Sequence, residues 1–466
     1  MKRTILALFL AAGCTSVPQD SRPPNILFLF SDDQRADTIH ALGNPNIETP
    51  AQDRLVREGT TFTRAYCMGA MQGAVCVPSR AMLMTGRTLF RVNTRMEGQG
   101  TWPEAFTKAG YSTFITGKWH NEVPSLLRVF QEGRNIFIGG MGNDPYALPV
   151  QDITSDHKLT DKRPGGKHCV ELFADTAIEY LKRQKGDRPF LAYVAFNAPH
   201  DPRIAPREYH EKYNRAMPPV PANFLPQHPF NNGFMAGRDE ELAPWPRMPE
   251  IVRQHLADYY ASITWLDVQL GRVLEALRAS GQYERTLIVY SSDHGLAIGS
   301  HGLLGKQNLY DHSMHAPLIF VGPGIPAGNR SDALCYLLDI FPTLGTLAGV
   351  AGPEGSEGRS LVPVIRGEAG RVRESLFTAF AKIQRAIRDD RWKILVYPQI
   401  NKTQLFDLAN DPSEMKDLSA DPAHAAELKR LTDLLAQRQR EWGDSQPLTT
   451  DKPDSVEFDF SKVKKK

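Results

Sequence analysis

Cysteine, net charge and long apolar runs are all scarce in this sequence. The 466 residues include 5 cysteines, whose spacing matches no zinc motif. The formal net charge is +2, so the composition predicts no binding to nucleic acid. No internal repeat is apparent, and Lys464–Lys466 is the one low-complexity stretch, which argues against a repeat architecture.

The length and composition fit a large core in one big domain or two. Hydrophobic residues make up 41% of the chain, while 36 glycines and 34 prolines predict many loops. If Cys14 and Cys76 have the roles argued below, at most one disulfide can form among the remaining cysteines. The sequence does not indicate which two of Cys67, Cys169 and Cys335 would pair.

The first 14 residues have the pattern of a signal peptide. Lys2 and Arg3 precede the apolar run Ile5–Ala12, which is too short to span a bilayer. Residues 10–14 also resemble a bacterial lipobox in which Cys14 is lipidated, so lipidation and simple cleavage both stay open. With residues 15–24 as a tether, we expect export: a periplasmic, secreted or outer-membrane lipid-anchored protein, touching membrane only through Cys14.

The middle of the chain alternates between predicted strands and helices, which indicates an α/β domain with a parallel or mixed sheet. The predicted strands are Asn25–Ser31, Ser112–Thr116, Pro189–Phe196, Thr286–Ser291 and Pro317–Val321. The predicted helices are Pro50–Glu58, Trp102–Ala109, Val170–Gln184 and Pro249–Ser280. Residues 121–168 and 201–248 lack clear periodicity and are interpreted as loops.

A second, smaller unit is predicted to begin near residue 370. Its alternating segments predict an antiparallel sheet, and a last amphipathic segment predicts a closing helix. The strands are Ser375–Ala381, Arg385–Arg388, Trp392–Tyr397 and Gln404–Asp407, and the helix is Ala423–Trp442. We therefore expect a catalytic domain over residues 25–369 and an α+β subdomain over residues 370–466.

Acidic, basic and imidazole side chains follow the predicted strands of the large domain. Each is listed with its strand: Asp32 and Asp33 after the first, Lys118 and His120 after the second, His200 after the third, Asp293 and His294 after the fourth. Taken alone, each has a plain structural explanation, such as a helix cap or a solvated side chain. Together they indicate a site, because ligands bind beyond the carboxyl ends of strands in open α/β sheets.

Cys76 lies in the run CVPSRAMLMTGR, between residues 76 and 87. The residues after Pro78 favour a helix that Gly86 can end, which places Cys76 just before a helix N-terminus. Backbone N–H groups and the helix dipole favour negative charge there, which suits a nucleophile attacking an anionic ester. The alternative is a buried structural cysteine.

This run resembles the C-x-P-S-R signature of the type I, formylglycine-dependent sulfatases, including Thr85-Gly86-Arg87 of the longer pattern. In that family a dedicated maturation enzyme oxidises the cysteine to formylglycine, an aldehyde that works as its hydrate. The resemblance continues to about residue 420 and includes Asp339–Thr343 and Leu405–Leu408. It implies the alkaline-phosphatase-like fold: a large, mostly parallel sheet sandwiched by helices, with a smaller C-terminal α+β domain.

The resemblance also implies a metal site. Asp32, Asp33 and Asp293 match the family's metal-binding carboxylates, His294 stands where the family has Asn or His, and the residue at position 76 contacts the metal through its hydrated aldehyde. Three carboxylates favour Ca²⁺, or Mg²⁺ in a tight cage. Because imidazole is a softer ligand, His294 could instead support a ligand without binding the metal.

The resemblance assigns catalytic roles to five further residues. Arg80 would hold the oxyanion of the nucleophile, and Lys118 and Lys306 would bind sulfate. His120 would serve the formylglycine hydroxyls and His200 would protonate the leaving group.

The predicted function is hydrolysis of a sulfuric ester, with a sulfated carbohydrate or a related organic sulfate as the expected substrate. The alternatives are a phosphonate or phosphate ester hydrolase on the same scaffold, and a catalytically silent protein that binds sulfated glycans. Two departures from the family pattern bear on specificity. Asn121-Glu122 replaces the common Leu-Gly, and His315-Ala316-Pro317 replaces Arg-Val-Pro.

Overall fold

The computed structural model describes residues 22–460. The predicted signal peptide, Cys14 and most of the predicted tether lie outside these residues. Within them, no helix combines the length and apolar character that a membrane crossing requires.

The strands of the described residues range from two to eight residues in length. They are β1 Asn25–Ser31, β2 Thr60–Phe62, β3 Ala65–Tyr66, β4 Gly69–Ala70, β5 Ser112–Trp119, β6 Glu132–Ile138, β7 Pro149–Val150, β8 Arg163–Pro164, β9 Phe190–Ala195, β10 Thr286–Ser292, β11 His315–Ala316, β12 Leu318–Val321, β13 Asn329–Ser331, β14 Cys335–Tyr336, β15 Leu376–Phe380, β16 Gln384–Arg388, β17 Trp392–Tyr397 and β18 Lys402–Asp407.

The longest of the described α-helices is α7. The helices are α1 Pro50–Glu58, α2 Cys76–Thr85, α3 Trp102–Lys108, α4 Val123–Val129, α5 Cys169–Arg183, α6 Arg207–Arg215, α7 Pro249–Ala279, α8 Asp311–Met314, α9 Ile340–Ala348, α10 Val362–Ile365 and α11 Ala425–Trp442.

The main sheet has eight strands in the order β13-β2-β12-β10-β1-β9-β5-β6. All neighbouring pairs are parallel except those that β12 makes with β10 and β2, so β12 alone runs against the others. The mostly parallel sheet predicted from the sequence is confirmed.

Both faces of the main sheet are covered, which explains why its central strands are apolar throughout. Alternate residues of β1 enter different cores: Phe28 packs in the core that includes residues of α2, α3 and α9, and Leu27 packs in the core that includes residues of α1, α5 and α7. The sheet is therefore sandwiched by helices.

The smaller sheet has the order β18-β17-β16-β15-β4. Its four C-terminal strands pair antiparallel, as predicted, and α11 lies against them. Its fifth strand, β4, comes from residues 69–70 and pairs parallel with β15, with Ala379 opposite Gly69. The C-terminal sheet is therefore continuous with the segment that leads to Cys76.

Three of the sequence-based assignments were wrong. The strand predicted to end at Thr116 continues through Gly117 to Trp119, so Lys118 is a strand residue. Residues 121–168 include α4 and β6, and β6 is an edge strand of the main sheet. The predicted loop 201–248 contains α6, whose single buried residue is Tyr213.

Candidate active site

The ends of β1 and β10 bring the acidic residues together. These strands are parallel neighbours and Ser31 pairs with Ser292, so the residues that follow them leave the sheet side by side. The backbone N–H of Asp33 donates to Asp293 Oδ1 at 3.0 Å. Asp33 has φ 67°, a left-handed conformation that turns the chain sharply after the strand.

The carboxylates of Asp32, Asp33 and Asp293 form a buried cluster. One oxygen from each lies within 4.8 Å of the others, and all three residues are fully buried. Asp32 Oδ1 and Asp293 Oδ2 have no hydrogen-bond partner among the described residues. Because buried carboxylate oxygens are costly without a partner, this cluster suits a hard cation.

His294 faces the same cluster. Its Nδ1–H donates a hydrogen bond to the Gly295 carbonyl oxygen at 3.0 Å. Its Nε2 lies 3.4 Å from Asp33 Oδ1 and has no hydrogen-bond partner in the described part of the chain. Burial opposes the imidazolium, but the charges of Asp293 and Asp33 raise the pKa of His294 to about 9. The free nitrogen is placed where a metal ligand would be.

Cys76 is the first residue of α2, not the residue before it as predicted. Its side chain is buried, and Sγ lies 3.1 Å from His120 Nδ1 and 3.9 Å from Lys118 Nζ. Burial opposes ionisation, yet Lys118 and Lys306 hold the pKa of the Cys76 thiol well below its usual range. An anionic group is thus favoured at position 76.

Three cations surround the acidic cluster. Lys118 pairs with Asp32, and Lys306 Nζ lies 2.8 Å from both carboxylate oxygens of Asp33. Arg80 Nη2 lies 3.2 Å from Asp293 Oδ2. All three cations are buried. Burial opposes ionisation of Asp32, but Lys118 and Arg80 hold its pKa well below the usual range.

His200 follows β9, which neighbours β1 on the side opposite β10. It therefore approaches the acidic cluster from the other side. Its Nε2 is 3.8 Å from Asp33 Oδ2, and its Nδ1 is 2.9 Å from the Asp201 carbonyl oxygen. The Asp201 carboxylate lies 3.3 Å from the same nitrogen. These contacts fix the imidazole with Nε2 toward the acidic cluster.

Every predicted site residue belongs to this one constellation, but the sequence analysis missed several residues that hold it. Tyr193 accepts a hydrogen bond from Arg80 at 3.3 Å, and Ser79 donates to the Asp293 carbonyl at 2.7 Å. Asp201 could have been noticed because it follows His200 directly. Tyr193 lies within the apolar β9 and carries no sequence signal.

The two departures from the family pattern occupy different places. Asn121 is buried and its amide donates to the carbonyls of Val77 and Thr94 at 2.9 and 2.8 Å, which fastens the start of α2. His315 stacks on Tyr66 with ring centroids 4.9 Å apart, beside a cavity of about 630 Å³. The first departure therefore supports the helix that begins at Cys76 directly.

The four cysteines of the described residues are free and buried. Burial raises the pKa of Cys67 to about 11 and that of Cys169 to about 12. Cys76 is therefore the one thiol of this group whose surroundings favour the anion.

Comparison with known families identifies the protein family of this chain. The family model described as "Sulfatase" matches residues 24–350, most of the chain. This chain belongs to the sulfatase family. A second model, described as the C-terminal part of N-sulphoglucosamine sulphohydrolase, matches residues 299–441 of this sulfatase. The predicted family is confirmed.

Curated relatives of this sulfatase cover nearly its whole length. An N-acetylglucosamine-6-O-sulfatase of Bacteroides thetaiotaomicron is 26% identical, covering 95% of this chain and 91% of the relative. A choline-sulfatase of Rhizobium meliloti is 29% identical, covering 90% and 87%. The chain is therefore an enzyme, a sulfatase that hydrolyses sulfuric ester bonds.

Solved structures confirm the alkaline-phosphatase-like fold. One protein solved in complex with its substrate, D-glucosamine-2-N,6-O-disulfate, matches with a TM-score of 0.77 and 25% identity, over 91% of this chain and 99% of that one. A phosphonate monoester hydrolase of Agrobacterium radiobacter matches with a TM-score of 0.71 and 24% identity, over 90% and 96%. The second likeness concerns the fold alone.

Proposed function

We propose that this sulfatase removes sulfate from a sulfated carbohydrate through residue 76, after oxidation of its thiol to formylglycine, with a divalent cation beside it. The proposal depends on one observation: Cys76, Lys118, Lys306 and Arg80 are all buried and lie together around three carboxylates. Such a site combines a nucleophile position with fixed positive charge for an anionic ester.

The acidic cluster fits Ca²⁺, with Mg²⁺ as the alternative. Asp32, Asp33 and Asp293 would supply oxygen ligands, and His294 Nε2 a nitrogen ligand in place of the proton that the carboxylates otherwise hold there. Position 76 lies within the same group of candidate ligands as Asp293 and His294. Bound there, the cation would offset charge on the sulfate oxygens.

Oxidised to formylglycine, residue 76 would supply a hydrated aldehyde. One hydroxyl would bond to sulfur as the S–O bond to the sugar breaks, and deprotonation of the second would release sulfate and restore the aldehyde. Lys118 contacts this position at 3.9 Å and would bind a sulfate oxygen. Lys306, whose positive charge also acts on Cys76, would bind another. Arg80 remains charged at any working pH and would stabilise negative charge on the nucleophile.

The two histidines are placed for different proton transfers. His120 Nδ1 touches Cys76 Sγ at 3.1 Å, so it can move a proton on or off residue 76. His200 turns Nε2 into the site and is anchored through Nδ1, so it can protonate the departing oxygen.

A carbohydrate substrate is supported by the relatives. One of them is an N-acetylglucosamine-6-O-sulfatase, and the protein of one matching structure binds a disulfated glucosamine.

Mutation of Cys76 tests the proposal. Cys76→Ala should lower sulfate release from a sulfated sugar by roughly 10⁴-fold, because the nucleophile is lost. Circular dichroism should stay unchanged, since the side chain fills little of the core. The wild-type peptide containing residue 76 should have a smaller mass than the one calculated for an unmodified cysteine. The difference should be that between a thiol side chain and an aldehyde side chain.

Three controls separate the rival functions. Cys67→Ala removes a buried thiol whose pKa burial raises to about 11, and it should keep activity. Phosphate and sulfate esters of one alcohol should be compared, since faster phosphate release would make the enzyme a phosphohydrolase. If the Cys76 thiol is unmodified and the protein binds sulfated glycans without releasing sulfate, it is a glycan-binding protein.

We also propose that the chain is exported, with Cys14 either lipidated or close to the cleavage point. The support is the basic start and apolar run of residues 2–12. Cys14→Ser should release the protein from membranes if Cys14 carries lipid. Finding Met1 on the mature exported protein would contradict both forms of the proposal.

A further inference from the structure

A continuous series of contacts joins the two histidines to the loop before Cys76, and we call these residues the rim. The rim consists of His120, Gly140, Met141, Arg238, Asp201, Asp239, Gln307 and Gly73. At one end, the backbone of Gly140 packs directly on the His120 ring: a Cβ at Gly140 would lie 2.5 Å from His120 Cε1. Met141 Sδ then contacts Arg238.

The other half of the rim runs back to the nucleophile's loop. Asp239 Oδ2 accepts a hydrogen bond from Gln307 Nε2 at 2.9 Å, and Gln307 also donates to the Gly73 carbonyl at 3.0 Å. Gln307 follows Lys306, and Gly73 precedes Cys76 by three residues. The rim thus runs from His120 to the loop before Cys76, and its members Asp201 and Gln307 directly follow His200 and Lys306 in the chain.

Arg238 is the exposed cation of the rim. Its side chain is 42% exposed, while Nη1 lies 2.7 Å from Asp201 Oδ2 and 2.7 Å from Asp239 Oδ1. Asp201 is 15% exposed and holds His200. The guanidinium is therefore held in place before any substrate arrives. It is bound to Asp201, the residue after the proposed proton donor His200, and part of its surface is open to solvent.

The charges of the rim favour a neutral partner for Arg238. Asp201 and Asp239 both pair with the Arg238 guanidinium, so a second sulfate or a carboxylate binding there would have to compete with two carboxylates already in place. A cationic headgroup would have to displace Arg238 from both. A hydroxyl group fits, because it can accept from the guanidinium and donate to Asp201.

We propose that Arg238, together with Asp201, is a specificity determinant that binds a free hydroxyl of the sugar ring carrying the scissile sulfate. This deepens the proposed function and depends on it. The substrate class is then a sulfated sugar with an unsubstituted hydroxyl near the sulfate, in preference to aryl or choline sulfate.

The test uses 4-nitrophenyl sulfate and the 3-, 4- and 6-sulfates of N-acetylglucosamine and galactose, with single-turnover release of sulfate as the measurement. For the best sugar, each monodeoxy analogue is included. Arg238→Ala should lower the second-order rate constant of single-turnover sulfate release from that sugar by about 10- to 100-fold. This is the effect of losing a hydrogen bond to a charged group. Arg238→Lys should lose less, since it keeps a donor.

The deoxy analogues separate binding of a hydroxyl from an indirect effect through His200. One analogue should react equally slowly with wild type and Arg238→Ala, because the group that Arg238 binds is missing. If every analogue remains as sensitive to Arg238→Ala as the parent sugar, Arg238 acts through Asp201 and His200, and the proposal is wrong. An unchanged rate on the parent sugar would also overturn it.

Two controls keep this test independent of the proposed function. Arg207→Ala removes an arginine whose side chain is 89% exposed and bound to Glu211 on α6, and should change nothing. Wild-type release of sulfate from at least one ester of the panel shows that the sulfatase chemistry operates. No release from any of them would reject the proposed function, whereas release with no Arg238 discrimination rejects the specificity proposal alone.

Discussion

His120 and His200 are both imidazoles at the active site, yet their contacts differ. His120 touches the Cys76 sulfur at 3.1 Å, whereas His200 contacts Asp33 and is anchored on Asp201. A residue that touches the nucleophile can serve its protons. A residue anchored across the acidic cluster can serve the leaving group.

His200→Ala should therefore discriminate between leaving groups. A sugar alkoxide needs a proton as the S–O bond breaks, and general acid catalysis contributes about 10²–10⁴-fold where it is needed. Nitrophenolate needs little help. Single-turnover rates should fall far more for a sugar sulfate than for 4-nitrophenyl sulfate, while His120→Ala should not discriminate in this way. Equal loss on both substrates would show that His200 is not the acid.

Asp293→Asn should weaken cation binding by at least about 100-fold, since it replaces a charged ligand with a neutral one. Calorimetric titration with Ca²⁺ and with Mg²⁺ measures this without relying on activity. Wild type should also unfold at a higher temperature with saturating cation, because binding stabilises the native state. Asp175→Asn, at a surface ion pair with Lys167 and Arg272, is the matched control. Equal cation affinity of wild type and Asp293→Asn would refute the site.

The individual residues of the site differ in how far the sequence could predict them. Asp32, Asp293 and Cys76 carry a local signal, charge directly after a buried strand or a thiol at a helix start, but it indicates a site only when the residues are taken together and with the family pattern. Tyr193 and Arg238 carry none. Tyr193 looks like any apolar strand residue, and Arg238 lies in an aperiodic segment, so only tertiary contacts reveal them.

Helix α1 obtains its N-terminal cap from another helix. Thr49, at the N-cap position, makes no capping hydrogen bond with its side chain. Instead the Asp267 carboxylate of α7 accepts from the backbone N–H groups of Ala51 and Gln52 at 2.8 and 2.9 Å. Burial nevertheless raises the pKa of Asp267 to about 7.

This buried carboxyl should make stability depend on pH. Its pKa in the unfolded chain is about 4, so the native state holds the proton more tightly than the unfolded state does. The free energy of unfolding should fall as pH rises from about 4 to about 7, by at most roughly 4 kcal/mol. Asp267→Asn should remove that part of the pH dependence, as measured by urea unfolding at several pH values.

The matched control for this prediction is Glu275→Gln, an exposed carboxyl on the same helix. It should leave the pH dependence of wild type unchanged. Parallel stability profiles for wild type and Asp267→Asn would contradict a raised pKa at this position.

The elements that the sequence predicts well have a clear start signal or a clear period. The bounds predicted for Pro50–Glu58, from Thr49 as a plausible N-cap, are those observed, and α7 is predicted to within one residue because its apolar residues follow the helical repeat. Strand β6 was missed because its buried and exposed positions do not alternate. Strand β5 was cut short because Gly117, with φ 92°, reads as a break, although a register shift accommodates it within the strand.

For the whole molecule, the decisive link is β4. The segment at residues 69–70 belongs to the C-terminal sheet, six residues before Cys76 at its nearer end. We propose residue 370 as the boundary between a catalytic domain and a C-terminal subdomain, with β4 as the point where the two share one sheet. Disturbing this pair should therefore affect both stability and activity.

Gly69→Ala is the sharpest change at this junction. A Cβ there would lie 1.9 Å from the Ala379 carbonyl oxygen, and Gly69 has φ 100°. The strand pair must separate, so unfolding free energy should fall by about 3 kcal/mol or more, with loss of sulfatase activity. Thermal unfolding and sulfate release measure the two effects.

Gly43→Ala is the matched control. Gly43 has φ 114° but nothing within 4 Å of an added Cβ, so it has the strain without the clash. It should cost only about 1–2 kcal/mol and keep full activity. Equal effects of the two substitutions would show that the β4–β15 contact contributes nothing.

The same strand pair sets an order of events during synthesis. Cys76 is 2% exposed in the folded chain, and β4 beside it closes only when residues 376–380 have emerged from the ribosome. If Cys76 is oxidised as proposed, the maturation enzyme must reach it as an accessible peptide. The chain's topology therefore leaves a long interval in which the thiol is made but not yet enclosed, and completion of the C-terminal sheet ends it.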